Sequence, residues 1–241
     1  MEFDIGERTL PPGFDECAPG EAFVKIGVGL LERDSPAPYS FGHAYPVRIR
    51  PETILTLDDT SARFRQLLQA APDRFGYDLT VDVWLDDTTM TIDYTLENLG
   101  SETINTEQYL HNFCCFDGAP LSAAYTVTTS YECEVCDSTG ALLAKPLSGP
   151  VRQIDSRTFG FDPSAAEDRA KVFVRPVRSE PTQQWSITHS ETGTALTVEA
   201  DQSPPVSAIY VTREQISLEM NVMIGVTPGD TARWSRRYTF Q

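Results

Sequence analysis

At 241 residues the chain can bury a substantial core, and it fits one large β domain better than two small ones. Apolar content of 40% and charged content of 22% are ordinary for a soluble globular protein, and no apolar run approaches the length that crosses a bilayer. A net charge of −16 repels phosphate backbones, which excludes general nucleic-acid binding and disfavours polyanionic substrates unless a local basic pocket offsets it. The start, Met1-Glu2-Phe3-Asp4, lacks the basic-then-apolar pattern of an export signal, so the chain reads as cytoplasmic, with no membrane partner expected.

Residues 1–22 carry Pro11-Pro12-Gly13 and Pro19-Gly20 and read as an irregular arm over the surface of a single domain spanning 1–241. Phe23 to Leu30 then reads as a strand with two glycines, which mark a bulge or a close approach. Lys25 in that strand faces a cleft or guards a sheet edge. Pro36, Pro38 and Pro46 punctuate a loop holding Tyr39, His43 and Tyr45. Arg48 and Arg50 alternate on one strand face, suited either to gripping a phosphate or carboxylate or to pairing with surface acids. A short helix is predicted around 61–71, although Arg63-Phe64-Arg65 alternates as a strand would.

From Tyr77 the period is two almost throughout: Val81, Val83 and Leu85 alternate with polar or amphipathic neighbours, as do Met90, Ile92, Tyr94 and Leu96. Asn98-Leu99-Gly100-Ser101 turns the chain into Thr106–Phe113, where strand spacing puts Glu107, Tyr109, His111 and Phe113 on one face. Such a face suits a small polar ligand; the alternative is a solvated sheet face.

Five cysteines, Cys17, Cys114, Cys115, Cys133 and Cys136, include one pair with the spacing of half a zinc site. Both close pairs lie in strand-like runs, so free buried thiols are expected, with no metal. No phosphate-cradling glycine loop is present, and no cofactor is implied. Further strands are predicted near 124–132, 171–177, 185–189, 195–199 and 207–211. Ile216, Leu218, Met220, Val222, Ile224 and Val226 then form one face of a long strand, with Ser217, Glu219 and Asn221 on the other. Glu219 thus points to solvent or to the opposite sheet face, and Arg213 just before it is ambiguous. Trp84, Trp185 and Trp234 are either sugar-stacking or core residues. After a turn at Pro228-Gly229-Asp230 the chain closes with a strand at 232–240. Many strands and almost no helix point to an all-β fold, a large antiparallel β-sandwich.

The end of the chain, Glu219 in a strand, then Pro228-Gly229-Asp230-Thr231, Trp234 and Arg237-Tyr238-Thr239-Phe240, resembles galactose mutarotase-like (aldose 1-epimerase-like) proteins. Leu110-His111-Asn112-Phe113, followed by Asp117-Gly118, looks like that family's Asn-His-x-Tyr-Phe strand. Leu10-Pro11-Pro12-Gly13-Phe14-Asp15-Glu16 and Lys25-Ile26-Gly27-Val28-Gly29 resemble a compact bacterial branch. The resemblance implies a β-supersandwich that receives a carbohydrate, a free sugar or a sugar phosphate, as its small-molecule partner. Mutarotation needs a base near the anomeric hydroxyl and an acid near the ring oxygen. It assigns Glu219 as the base and His111 as the acid or a substrate binder. Glu107, Tyr109, Lys25, Arg48, Trp185 and Arg213 are the expected substrate-binding residues. The second histidine of well-characterised mutarotases has only His189 as a counterpart, and the proline usually flanking the glutamate is replaced by Leu218 and Met220. Two other readings share the fold: a non-catalytic sugar-binding protein, and a lyase using Tyr109 with His111.

Overall fold

The computed structural model describes residues 2–69, 74–143, 147, 149–164, 169–202 and 206–241. Its strands run in chain order β1 (Glu2–Phe3), β2 (Ala22–Lys25), β3 (Gly29–Glu32), β4 (Val47–Ile49), β5 (Glu52–Leu57), β6 (Ser61–Leu68), β7 (Tyr77–Asp86), β8 (Thr89–Asn98) and β9 (Ile104–Tyr109). There follow β10 (Asn112–Cys114), β11 (Tyr125–Thr129), β12 (Cys133–Cys136), β13 (Val151–Gln153), β14 (Thr158–Phe161) and β15 (Arg169–Pro176). The last are β16 (Gln183–His189), β17 (Thr194–Ala200), β18 (Ser207–Thr212), β19 (Ile216–Glu219), β20 (Val222–Val226) and β21 (Thr231–Phe240). No helix occurs among the described residues, so none is present there that could cross a membrane.

The chain divides into two compact units, the first built from Met1–Asp86, Thr91–Tyr109 and Val222–Ser235, the second from Asp87–Met90, Leu110–Asn221 and Arg236–Gln241. In the first unit, β9 pairs with β1 and β20, β3 with β2 and β4, and β5, β6 and β7 follow one another, all antiparallel. Its core gathers Phe3, Tyr77, Leu79, Tyr94, Leu96, Ile104, Val222, Ile224 and Trp234. Trp234 stacks on Tyr94 at 5.2 Å and donates its indole N–H to Gln108 Oε1 at 2.6 Å, a core role rather than a sugar platform.

The predicted helix at 61–71 is a strand as far as Leu68, and residues 70–73 lie outside the described residues. Alternation decides it: Arg63 and Arg65 share a face and reach across to Asp82 at 2.6 Å and Asp78 at 3.0 Å on β7. The N-terminal arm also differs from expectation. Phe3 and Phe14 are buried, β1 pairs with β9, and Val24 N–H donates to Pro12 O, so proline here shapes a chain that is tied down.

The turn read at 98–101 is held by the fully buried Asn98. Its Nδ2 donates to Glu102 O and Val226 O at 2.8 Å each, and its Oδ1 accepts from Gly100 N–H at 2.9 Å. Gly100 is required there, since a Cβ would lie 2.2 Å from Arg74 O. Asn98→Ala strands a buried carbonyl and two turn groups, and is expected to cost about 3 kcal/mol, read as a drop in the urea-denaturation midpoint.

The second unit holds two sheets. One has the order β10-β19-β18-β15-β12; in the other, β13-β14-β11-β16-β17 continues onto the second half of β21. Tyr125, Val127, Phe159, Trp185, Ile187 and Val198 are buried in it. Cys133 and Cys136 are buried free thiols, and burial pushes the Cys133 thiol up to about 11. Among the described residues no three His, Cys, Asp or Glu side chains are grouped to hold a metal.

Both long strands predicted around the motifs are interrupted. The run through 106–113 ends as β9 at Tyr109 and resumes as β10 at Asn112, and the run 216–226 breaks at Met220 and Asn221. At the second break the Met220 carbonyl leaves the ladder and accepts from the fully buried Arg236 Nη2 at 2.7 Å. A guanidinium on β21 takes the place of a strand partner, an exchange that no local pattern announces.

Candidate active site

Register in the first sheet of the second unit sets the site. Phe113, Ser217, Tyr210 and Lys171 lie directly across from one another on β10, β19, β18 and β15, forming one row on one face. One pair along, Glu219, Ala208 and Phe173 form the next row, and His111, just before β10, meets Glu219. The opposite face carries Leu218, Ile209 and Val172, all buried, which is the alternation that anchors these strands. Ser217 and Ala208 are small and fully buried, so the floor of the site is low between larger side chains. Among the described residues nothing hydrogen-bonds the buried Ser217 Oγ.

Glu219 is the centre. Its carboxylate is 1% exposed, with Oε1 3.2 Å from His111 Nε2 and Oε2 2.9 Å from Lys171 Nζ. The imidazole stacks on Phe113 at 3.9 Å and meets the edge of Tyr210 at 5.1 Å. Lys171 Nζ lies 5.0 Å from the centre of the Phe173 ring, a cation–π distance. Partial burial, and then the charge of Lys171, hold the His111 pKa below the ordinary imidazole value. Near pH 7 the ring is therefore neutral, with its Nε2 turned toward the carboxylate. β10 is pinned by Asn112, whose Nδ2 donates to Leu218 O at 3.1 Å while its Oδ1 accepts from Tyr238 OH at 3.1 Å. The exposed rim is aromatic, with Phe113 49% exposed. A carboxylate, an ammonium and an imidazole on such a face can take up and release protons on a hydroxylated ring.

The structure brings together His111 and Glu219 of the expected site residues, and adds Lys171, Tyr210 and Phe113. The sequence singled out neither Lys171 nor Tyr210. Lys171 opens an apolar run, Lys171-Val172-Phe173-Val174, and only the register against β18 reveals its face.

The other expected binders are engaged elsewhere. Glu107 is buried in the first unit and held by Arg8, whose Nε donates to Oε1 at 2.7 Å; Tyr109 is buried beside it on β9. Lys25 is buried and donates to Phe3 O, Asp4 O and Tyr39 OH at 2.6–2.9 Å, so its charge serves backbone carbonyls. Arg48 pairs with Glu32 at 3.1 Å and caps the Gly20 carbonyl, which is the surface-pair alternative. Trp185 has no exposed surface to stack on a sugar and donates to Tyr131 OH at 2.9 Å. Arg213 is exposed in the turn joining β18 to β19, where its carbonyl accepts from Leu121 N–H at 2.9 Å. His189 is buried on β16, in the other sheet, with Thr192 Oγ1 at 3.1 Å and Tyr125 edge-on at 4.5 Å, so its partners are those of a strand end. Tyr109 closes β9 and His111 falls between strands, so the shared strand face behind the lyase reading is absent.

By sequence, no family model and no curated protein matches the chain. By structure, it is similar to a galactose mutarotase related enzyme from Lactobacillus acidophilus, at 12% identity and TM-score 0.56, over 80% of this chain and 72% of that one. It is also similar to a GalM/aldose epimerase homologue from C. elegans, at 15% identity and TM-score 0.57, over 92% of this chain and 78% of that one. Against galactose 1-epimerase from Lactobacillus acidophilus NCFM the identity is 12% and the TM-score 0.52, over 93% and 76% of the two chains. The likeness is one of fold: the chain has the all-β galactose mutarotase-like fold.

Proposed function

We propose that the protein is an aldose 1-epimerase-type isomerase acting on a neutral free sugar, with Glu219 as the base. The observation that carries this reading is the Glu219–His111 contact of 3.2 Å, on a polar row edged by Phe113 and Tyr210. An exposed ring such as Phe113 suits the apolar face of a pyranose, while the row beneath offers hydrogen bonds to its hydroxyls. Neutrality follows from charge: Lys171 already offsets Glu219, and the net charge of −16 repels an anion before it arrives. Both carboxylate oxygens are engaged, so a bound sugar exchanges one of those contacts for its anomeric hydroxyl. His111, neutral and held by Phe113, then serves as a hydrogen-bond partner to a ring substituent.

The test is proton NMR of freshly dissolved α-glucose and α-galactose with the wild-type protein. Interconversion of anomers accelerated over buffer supports the reading; no acceleration with either sugar overturns it. The engagement of both Glu219 oxygens favours a second reading, a non-catalytic sugar-binding protein. It is distinguished by ligand-line broadening with no change in the anomer rate.

A further inference from the structure

We infer that Lys171 is a catalytic residue of this site, the group that delivers a proton to the ring oxygen of the sugar. The inference rests on the epimerase reading and names a member of its machinery. A base on the anomeric hydroxyl opens the ring only if the departing ring oxygen is protonated, and His189, the one other histidine with a claim to that task, is bound to Thr192 and Tyr125 instead. Lys171 Nζ sits 2.9 Å from the Glu219 carboxylate, on the same face, with its side chain 24% exposed. It is thus the proton-carrying cation at the base, accessible from the aromatic rim.

The alternative donor within the cluster is His111. Its lowered pKa leaves it neutral at and above pH 7, and a neutral imidazole is a weak proton donor to an alkoxide-like oxygen. An ammonium stays charged well above that range. Among the described residues, the charged and titratable groups around Lys171 are Glu219 on β19, Tyr210 directly across on β18, His111 beside β10, Arg169 two residues away on β15, and the Cys136 thiol on β12, opposite Phe173. Among the described residues, Glu219 is the acid in contact with the ammonium.

The step balances without a further reactant. Glu219 takes the proton from O1, the O–H electron pair forms the C1=O bond, and C1–O5 breaks with its pair moving to O5. Lys171 gives O5 a proton and becomes a neutral amine. After rotation about C1–C2 the amine retakes that proton as O5 attacks C1, and Glu219 returns its own to O1. Glu219 and Lys171 end as they began, and no electrons leave the sugar.

The experiment measures the anomer interconversion rate by NMR from pH 5 to 10 for wild type, Lys171→Met and Lys171→Arg, with circular dichroism to verify folding. Lys171→Met is expected to lower the turnover number about 100-fold while sugar affinity, from line broadening, stays within a few-fold. Wild-type turnover is expected to persist above the imidazole range, past about pH 7. Lys171→Arg keeps the charge and the pairing with Glu219 but holds its proton too tightly to deliver it. It is therefore expected to fold and bind as wild type does, with turnover lowered about 10-fold or more. A Lys171→Met or Lys171→Arg rate within threefold of wild type overturns the assignment, as does a wild-type rate that falls away as His111 deprotonates. If wild type accelerates neither sugar, the epimerase reading fails and takes this assignment with it. If wild type is active and either lysine variant is equally active, only the assignment of Lys171 fails.

Discussion

Glu219→Gln is expected to abolish anomer interconversion, lowering turnover by about 10²–10⁴-fold, with the folded protein retained. The carboxylate faces two nitrogen groups at once, His111 Nε2 at 3.2 Å from one oxygen and Lys171 Nζ at 2.9 Å from the other. A carboxamide has one acceptor oxygen and one NH₂, so it satisfies only one of them and turns two hydrogens toward the other. It also removes the basic lone pair that would take the anomeric proton. Lys171 and His111 are each about a quarter exposed, so water can solvate whichever donor is displaced, and the cost to folding stays small beside the loss of chemistry. NMR rates and thermal melts of the same two samples check both halves. A variant that melts like wild type and keeps more than a tenth of its rate removes Glu219 from the role of base. A variant that neither melts cooperatively nor turns over shows instead that the carboxylate organises the sheet, and Glu219→Asp, which keeps the charge, then tests the chemistry.

The contrast between what sequence and structure disclose follows from the range of the forces involved. Period-two alternation in Tyr77–Asp86 is a local consequence of one wet and one dry face, so those strands are legible residue by residue. Glu219 and His111 are legible because short motifs carry them. Two features have no local signal. The burial of Glu219 comes from cover on both faces of β19, whose four residues are all buried although Ser217 and Glu219 alternate with Ile216 and Leu218 as a half-wet strand would. The arrival of Lys171 depends on register, since a slip of one residue between β15 and β18 would turn it to the opposite face and put Val172 against Glu219 instead. Lys25, Glu107 and Trp185 mislead for a related reason. Each is the residue type that binds sugars, and each is bonded to a partner distant in sequence, Lys25 to Phe3 and Asp4, Glu107 to Arg8, Trp185 to Tyr131.

Arg8→Met is expected to destabilise the protein by about 3–5 kcal/mol at neutral pH, and to do so in a pH-dependent way. Arg8 directs both Nε and Nη2 to one oxygen of Glu107, and among the described residues Oε2 has no hydrogen-bond partner. Burial therefore outweighs the guanidinium, and the Glu107 pKa stands above the ordinary carboxylate value. A carboxyl whose pKa is raised on folding binds its proton more tightly in the folded state. Its contribution is full below the unfolded value, about 4.3, and is lost as pH rises through the folded one. Removing Arg8 takes away a positive charge that opposes burial, so the folded pKa climbs further and the penalty at pH 7 to 8 grows. Asp4, buried behind Thr9 and Thr106, is raised in the same direction, but it is common to both proteins and largely cancels in their difference. Urea-denaturation midpoints at pH 8 and pH 5 should thus show a deficit that shrinks at the lower pH. A deficit equal at both would trace to lost packing of the arginine stem rather than to an uncompensated charge. Glu107→Gln placed on the Arg8→Met background separates the two, since it removes the charge and leaves the packing defect, and should recover most of the lost stability at pH 8.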